Sequence, residues 1–274
     1  VQLVPIAEPF DPRVADFRSL TDAGFRRRYE TPGPFGGGCF VAEGWLAVER
    51  AVRTRQRFRA AMALAPKAQR AAALLESLDG PLYVVEPEVG AAIAGFDFHR
   101  GVLASLERPR PADPEVVLAR SSMALAVEGV GDGENLGALF RNAAALGAGA
   151  VLVDPGCIDP WSRRVVRTSV GHVMTVPWAW WTGPPVRTGH RVVALSPTGG
   201  MDLRELPVGP PTLLLVGAEG PGLSGSWLDV ADVVVRIPMA EGVDSLNVAT
   251  AAAIALWHLT PRPDPRELAA EPSR

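Results

Sequence analysis

Three short stretches of this chain gather polar side chains and small residues where a ligand could be held. Asp244-Ser245-Leu246-Asn247-Val248-Ala249 is a small-residue turn that opens straight into an apolar helix. Ser245 and Asn247 can cap that helix or orient a substrate hydroxyl. The two roles are compatible, because one Asn offers both donor and acceptor. Just upstream, Pro238 fixes φ and stops a strand, leaving main-chain groups near Ile237 and Met239 to meet the edge of a flat heterocycle. Gly217-Ala218-Glu219-Gly220-Pro221-Gly222 follows a nearly all-apolar strand, the usual place for a ligand in an open sheet. Its glycines allow close backbone approach, and Glu219 is its one ionisable side chain. In Gly133-Glu134-Asn135-Leu136-Gly137-Ala138-Leu139-Phe140-Arg141-Asn142, Asn135 stands where a helix would be capped. Arg141 lies nearly two turns on, at the edge of the face formed by Leu136, Leu139, Phe140 and Ala143. Taken singly, these residues read as a cap, a turn and a surface charge. Together they point to an enzyme.

The elements that must position these segments can be read in part. Residues 1 to about 20 hold Pro5, Pro9 and Pro12 and are expected to be irregular, with a short helix over Asp16 to Tyr29. After the glycine-rich break Gly33 to Gly38, a strand is expected at Cys39 to Ala42 and a helix at Trp45 to Thr54. Phe58 to Leu64 fits either element. A helix over Lys67 to Leu78, a strand at Leu82 to Val85 and a helix over Pro87 to Ala94 complete a small α/β layer. Arg108 to Pro114 carries three prolines and is the best boundary. Beyond it, strands are expected at Ser122 to Glu128, Ala150 to Val153, Val173 to Val176, Arg191 to Leu195, Leu213 to Val216 and Val233 to Ile237. They alternate with helices at Leu136 to Leu146, Trp161 to Ser169 and Leu246 to His258. This predicts a parallel α/β domain. Trp178, Trp180 and Trp181 fall in an expected loop.

Bulk properties exclude several classes. A chain of 274 residues allows one large domain or two modest ones, and a net charge of -3 rules out a generally basic nucleic-acid coat. Lys67 is the single lysine among 27 basic residues; coding bias accounts for this as readily as phosphate binding does. Cys39 and Cys157 cannot make a disulfide framework or a metal cage. His99, His172, His190 and His258 lack metal-ligand spacing, so no metal is expected. With no basic-then-apolar leader and no membrane-length apolar run, the protein is expected to be cytoplasmic. No GxGxxG occurs, which disfavours dinucleotide binding.

The three segments resemble the signature motifs of the SpoU-type (TrmH-like) RNA ribose 2′-O-methyltransferases of the SPOUT superfamily. Asn135, Gly137 and Arg141 match the first motif; Gly217, Glu219, Gly220 and Gly222 the second; Ser245 to Val248 the third. All three stand in order within about 121 to 260. The basic helix bearing Arg163, Arg164 and Arg167 resembles one that such enzymes place between the first two motifs. Upstream, Asp16-Phe17-Arg18, Arg26-Arg27-Arg28 and Phe40 to Gly44 are similar to the start of an L30e-like RNA-binding domain. The Gly33 to Gly38 insert and the tryptophan-rich stretch depart from the pattern.

The resemblance implies an L30e-like domain over 1–107, a linker over 108–120 and a SPOUT catalytic domain with a C-terminal trefoil knot over 121–274. It implies S-adenosylmethionine as cofactor, held by Leu195, Ser196, Gly217, Ala218, Glu219, Gly220, Gly222, Ile237, Met239, Ser245, Leu246 and Asn247. Asn135, Arg141, Glu219, Ser245 and Asn247 are the implied catalytic set, in a homodimer. The substrate implied is RNA, with 23S rRNA ahead of tRNA. Arg26, Arg27, Arg53, Arg55, Arg57, Arg163, Arg164 and Arg167 are the expected RNA contacts. The stretch from Arg50 to Arg70 holds seven basic residues with no acid among them, a pattern that positions phosphates without reading bases. A non-catalytic RNA-binding protein and an NAD-linked oxidoreductase are the competing readings.

Overall fold

The computed structural model describes residues 1–21, 38–185 and 189–260. The chain divides into two compact units, one made of Val1–Pro111, Asp132–Arg141 and Ile158–Thr175, the other of Ala112–Gly131, Asn142–Cys157 and Val176 onward.

The first unit is built on a five-stranded sheet of order β1-β4-β3-β5-β2, with β1 Gln2–Ile6, β2 Cys39–Glu43, β3 Phe58–Leu64, β4 Pro81–Val85 and β5 Val102–Glu107. Strands β1, β4 and β3 pair in parallel, while β5 runs antiparallel to both its neighbours. Helices α1 Trp45–Arg53, α2 Ala68–Leu74 and α3 Pro87–Ala94 connect them. A core of Val14, Phe17, Met62, Tyr83, Ile93, Phe98 and Leu103 covers one face. The helix Arg163–Thr168 (α6) belongs to this unit, and Trp161 just before it stacks on Phe40 of β2 with ring centroids 4.5 Å apart.

The second unit carries seven strands, all parallel, in the order β10-β12-β9-β11-β6-β7-β8. They are β6 Met123–Glu128, β7 Ala150–Val153, β8 Trp178–Trp180, β9 Arg191–Leu195, β10 Met201–Asp202, β11 Thr212–Gly217 and β12 Val233–Arg236. The central strands are almost wholly apolar because helices cover both faces; Leu213, Leu214 and Leu215 are fully buried. Four helices accompany them: α4 Pro114–Ala119, α5 Gly133–Leu146 (shared between the units at Arg141/Asn142), α7 Gly225–Leu228 and α8 Val248–Leu259.

Several expectations are corrected. The irregular N-terminus holds strand β1, in which Pro5 is tolerated because the strand lies at the sheet edge. Of the helix expected over Asp16 to Tyr29, residues 16–21 are not α-helical: a 3₁₀ turn spans Pro12–Phe17 and Ser19 has a positive φ, while residues 22–37, including Arg26 and Arg27, lie outside the described residues. Strand β5 was not foreseen. The expected linker 108–120 contains α4, capped by the Asp113 side chain, with Val117 and Leu118 buried in the core of the second sheet. Val173 to Val176 is not a strand: Gly171, at φ +83°, starts a 3₁₀ turn over His172–Met174. Pairing resumes only at β8, so the tryptophan stretch is an edge strand. A four-residue run with three apolar residues cannot by periodicity distinguish these outcomes.

Glu43 of β2 is buried, 6 % exposed, and Arg163 meets it at 2.8 Å while stacking over Phe96 at 4.0 Å. Removing one partner of such a pair strands the other charge. Glu43→Ala is therefore expected to lower stability by about 3 kcal/mol, read as a shifted denaturant midpoint, whereas Arg57→Ala, which breaks an exposed pair with Glu107, is expected to cost under about 1 kcal/mol.

Candidate functional site

In the second unit, β12, β9 and β11 are neighbours and parallel, so their C-terminal ends share one edge of the sheet. Leu195 and Ser196 leave β9 there, Gly217 to Gly222 leave β11, and Ile237 to Met239 leave β12. The first of these turns is braced against the end of β12: Ser196 N donates to Val235 O at 2.9 Å, and Arg236 donates to the carbonyls of Gly199 and Gly200 at 2.7 and 3.1 Å.

The turn after β11 closes on itself. Gly222 N donates to Ala218 O at 3.0 Å, with Gly220 and Gly222 at φ +88° and +69°. Gly217 is fixed by space: a Cβ there would stand 2.2 Å from the carbonyl carbon of Gly222. Beyond the turn, Ser224 is anchored to Glu128 at the end of β6, donating from N at 2.8 Å and from Oγ at 2.6 Å. Glu128 is a site-shaping residue that the sequence did not single out.

Asn247 links this turn to the last helix. Its Oδ1 accepts from Ala249 N and Thr250 N at 3.0 and 3.2 Å, capping α8. Its Nδ2 donates to Glu219 Oε1 at 2.6 Å. Both halves of the amide are thus used, and a bond to a charged acceptor is worth about 1.5–3 kcal/mol. Ser245 and Leu246 lie in the exposed segment just before the cap. Val243 and Leu246 are exposed apolar side chains on that same segment.

Asn135 and Arg141 ride on α5. The expected cap at Asn135 is corrected. Asp132 is the cap, its Oδ1 accepting from Glu134 N at 2.7 Å and Asn135 N at 3.0 Å, so Asn135 is a first-turn residue, half-buried. Arg141 is exposed. The next residue, Asn142, donates to Ala249 O at 2.8 Å. Gly137 lets α6 approach: a Cβ there would stand 2.7 Å from Thr168 Cβ and 3.0 Å from Ser169 N and Val165 O.

The expected RNA contacts divide. Arg53 ends α1 and Arg55 and Arg57 follow it, all exposed. Arg164 is exposed and pairs with Glu134 at 3.0 Å, while Arg167 is half-buried. The Arg163 side chain is 15 % exposed and paired with Glu43 at 2.8 Å. Among the described residues, no group of three His, Cys, Asp or Glu could hold a metal ion, and no helix is long and apolar enough to cross a membrane. Cys39 and Cys157 are buried free thiols. Burial chiefly pushes the Cys157 thiol up to about 11.

The closed turn is tested by Gly217→Ala. The added methyl must push the Gly222 backbone aside, so ligand affinity at this edge is expected to fall at least tenfold. Folding, followed by far-UV circular dichroism, is expected to persist.

Residues 122–257 match the SpoU rRNA Methylase family. An uncharacterized tRNA/rRNA methyltransferase of Mycobacterium tuberculosis is 41% identical over 271 residues, covering 93% of this chain and 91% of the relative. The 23S rRNA (guanosine(2553)-2′-O)-methyltransferase RlmP of Bacillus subtilis is 31% identical over 53% of this chain and 61% of its own length. The AdoMet-bound rRNA methyltransferase structure from Sinorhizobium meliloti superposes with a TM-score of 0.78 at 27% identity, covering 94% of this chain and 97% of that one. These matches agree with the three motif segments: the chain belongs to the SpoU rRNA methylase family.

Proposed function

We propose that this protein methylates the 2′-hydroxyl of a ribose in 23S rRNA, with S-adenosylmethionine as methyl donor. Family membership makes it an RNA 2′-O-methyltransferase. The choice of 23S rRNA over tRNA rests on the named activity of the Bacillus subtilis relative. The observation that carries the reading is the Glu219–Asn247 bond, which closes the β11 turn onto the cap of α8 at the edge where β9 and β12 also end.

The cradle suits the donor. Leu195, Ser196, Gly217, Ala218, Gly220, Gly222, Ile237 and Met239 supply backbone edges and small side chains for a nucleoside, and Ser245, Leu246 and Asn247 complete the wall. Gly217 admits no side chain, as a site built on close backbone approach requires. S-adenosylmethionine brings a methyl already activated by its sulfonium charge. What remains is to align a weakly nucleophilic hydroxyl and stabilise the charge it develops. The guanidinium of Arg141 binds the adjoining phosphate and stabilises the developing alkoxide. Asn135 orients the ribose, Ser245 holds the reacting hydroxyl, and Glu219 fixes the rotamer of Asn247. In this reading residues 1–107 present the RNA through Arg53, Arg55 and Arg57, residues 121–274 form the catalytic domain with a C-terminal trefoil knot, and the enzyme is a homodimer.

Methyl transfer from labelled S-adenosylmethionine to unmodified 23S rRNA and to total tRNA tests the substrate. Incorporation into rRNA at a mapped ribose is expected; incorporation confined to tRNA overturns the choice of RNA. Arg141→Ala is expected to reduce transfer by at least a hundredfold with cofactor affinity within about threefold of wild type. Charge removal at Arg53, Arg55 and Arg57 together is expected to weaken RNA binding and to flatten its salt dependence by up to about three phosphate contacts; an unchanged salt slope removes these residues from the interface.

A further inference from the structure

Between β9 and β10 the chain passes over β12. Val235 of β12 pairs with Leu195, the last residue of β9, on one side, and with Met201, the first residue of β10, on the other. Both neighbours run parallel to β12. Leu195 and Met201 therefore stand level with each other, about 10 Å apart across that strand, and residues 196–200 must bridge them over it. The close contacts record the crossing. A Cβ on Gly199 would stand 2.4 Å from Val235 C, 2.6 Å from Val235 O and 2.7 Å from Arg236 N, so the bridge rests directly on the Val235–Arg236 peptide.

Side-chain burial does little to hold this bridge down. Gly199 and Gly200 have no side chain, and Pro197 and Thr198 are exposed. Its internal bonds give it shape: Gly199 N donates to Ser196 O at 3.1 Å, Thr198 N to Ser196 Oγ at 3.3 Å, and the Ser196 and Thr198 hydroxyls lie 3.0 Å apart. None of these bonds reaches β12. Two other attachments do. At the near end Ser196 N donates to Val235 O at 2.9 Å. At the far end one terminal NH₂ of Arg236, Nη1, donates to both Gly199 O at 2.7 Å and Gly200 O at 3.1 Å. Bonds from a charged donor are the stronger kind, so the guanidinium is the main fastening of that end.

We infer that Arg236 is a positioning residue for the cofactor: it clamps the 196–200 bridge over β12 and so fixes the Leu195–Ser196 edge against the Ile237–Met239 edge. This rests on the cradle reading given above. Arg236 is the last residue of β12, so its main chain runs straight into one wall of the cradle while its side chain grips the other. The role calls for no contact with the reacting atoms. Its effect is preorganisation: without the clamp the ligand must order the bridge as it binds, and that cost falls on affinity. Because cofactor and transition state use the same wall, the loss is one of uniform binding, which raises KM and leaves the methyl-transfer step alone.

Calorimetry with S-adenosylhomocysteine and with 5′-methylthioadenosine, which lacks the amino-acid end, tests this. Arg236→Ala is expected to weaken both ligands about tenfold and to raise KM for S-adenosylmethionine by a similar factor, with kcat at saturating cofactor within about twofold of wild type. Arg236→Lys, which keeps a charged donor, is expected to recover most of the affinity. Arg204→Ala is the control, since that guanidinium is spent on Asp202, and it is expected to bind as wild type does. In the unliganded protein, hydrogen exchange at the Ser196 and Gly199 amides should quicken in Arg236→Ala. A loss confined to S-adenosylhomocysteine would make Arg236 a direct contact to the amino-acid end and overturn the clamp, as would wild-type affinity or unchanged exchange in Arg236→Ala. Failure of the wild-type protein to bind either ligand overturns the cradle reading instead, and this one with it.

Discussion

The site depends on one carboxylate–amide contact. Glu219 stands in a turn that could point in many directions, and Asn247 caps a helix more than two dozen residues further along the chain. Their 2.6 Å hydrogen bond joins the two. Because Asn247 spends its oxygen on Ala249 N and Thr250 N, only its NH₂ is left to face the turn. The cap therefore sets the orientation of the amide, and the amide holds the glutamate. Asp at position 247 would still cap the helix but would present a second negative charge to Glu219, so the residue type is dictated by both neighbours at once.

Around that contact the backbone approaches itself more closely than side chains allow. Gly217 and Gly199 each lie where a Cβ would collide with main-chain atoms of an adjacent segment, at 2.2 and 2.4 Å. These approaches bring three parallel strand ends into one surface of exposed peptide groups. In the first unit, Gly137 does the same for α5 and α6. The Glu43–Arg163 pair and the Phe40–Trp161 stack fasten the start of α6 to the first sheet.

Much of this was legible in the sequence. Strands β6, β7, β9, β11 and β12 are short apolar runs bounded by turn residues, and burial on both faces leaves little else they could be. Glu219 stood out as the one ionisable side chain of a glycine-rich turn after a buried strand, and Ser245 and Asn247 as polar groups in a turn that opens into an apolar helix. The rest turned on partners distant in sequence. Asp132 and Asn135 are both good caps, and only the backbone geometry chooses between them. Arg163 looks like its neighbours Arg164 and Arg167 until Glu43 is seen beneath it. Strand β1 was hidden by a proline that an edge position tolerates, and β8 by tryptophans that read as loop decoration.

The most direct test of the central claim is a crystal structure of the protein with S-adenosylhomocysteine. The account predicts the ligand at the shared strand edge, touching residues 195–196, 217–222 and 237–239 at once, with Glu219 and Asn247 still bonded. A ligand bound elsewhere, or a Glu219–Asn247 pair that separates to admit it, would contradict the account.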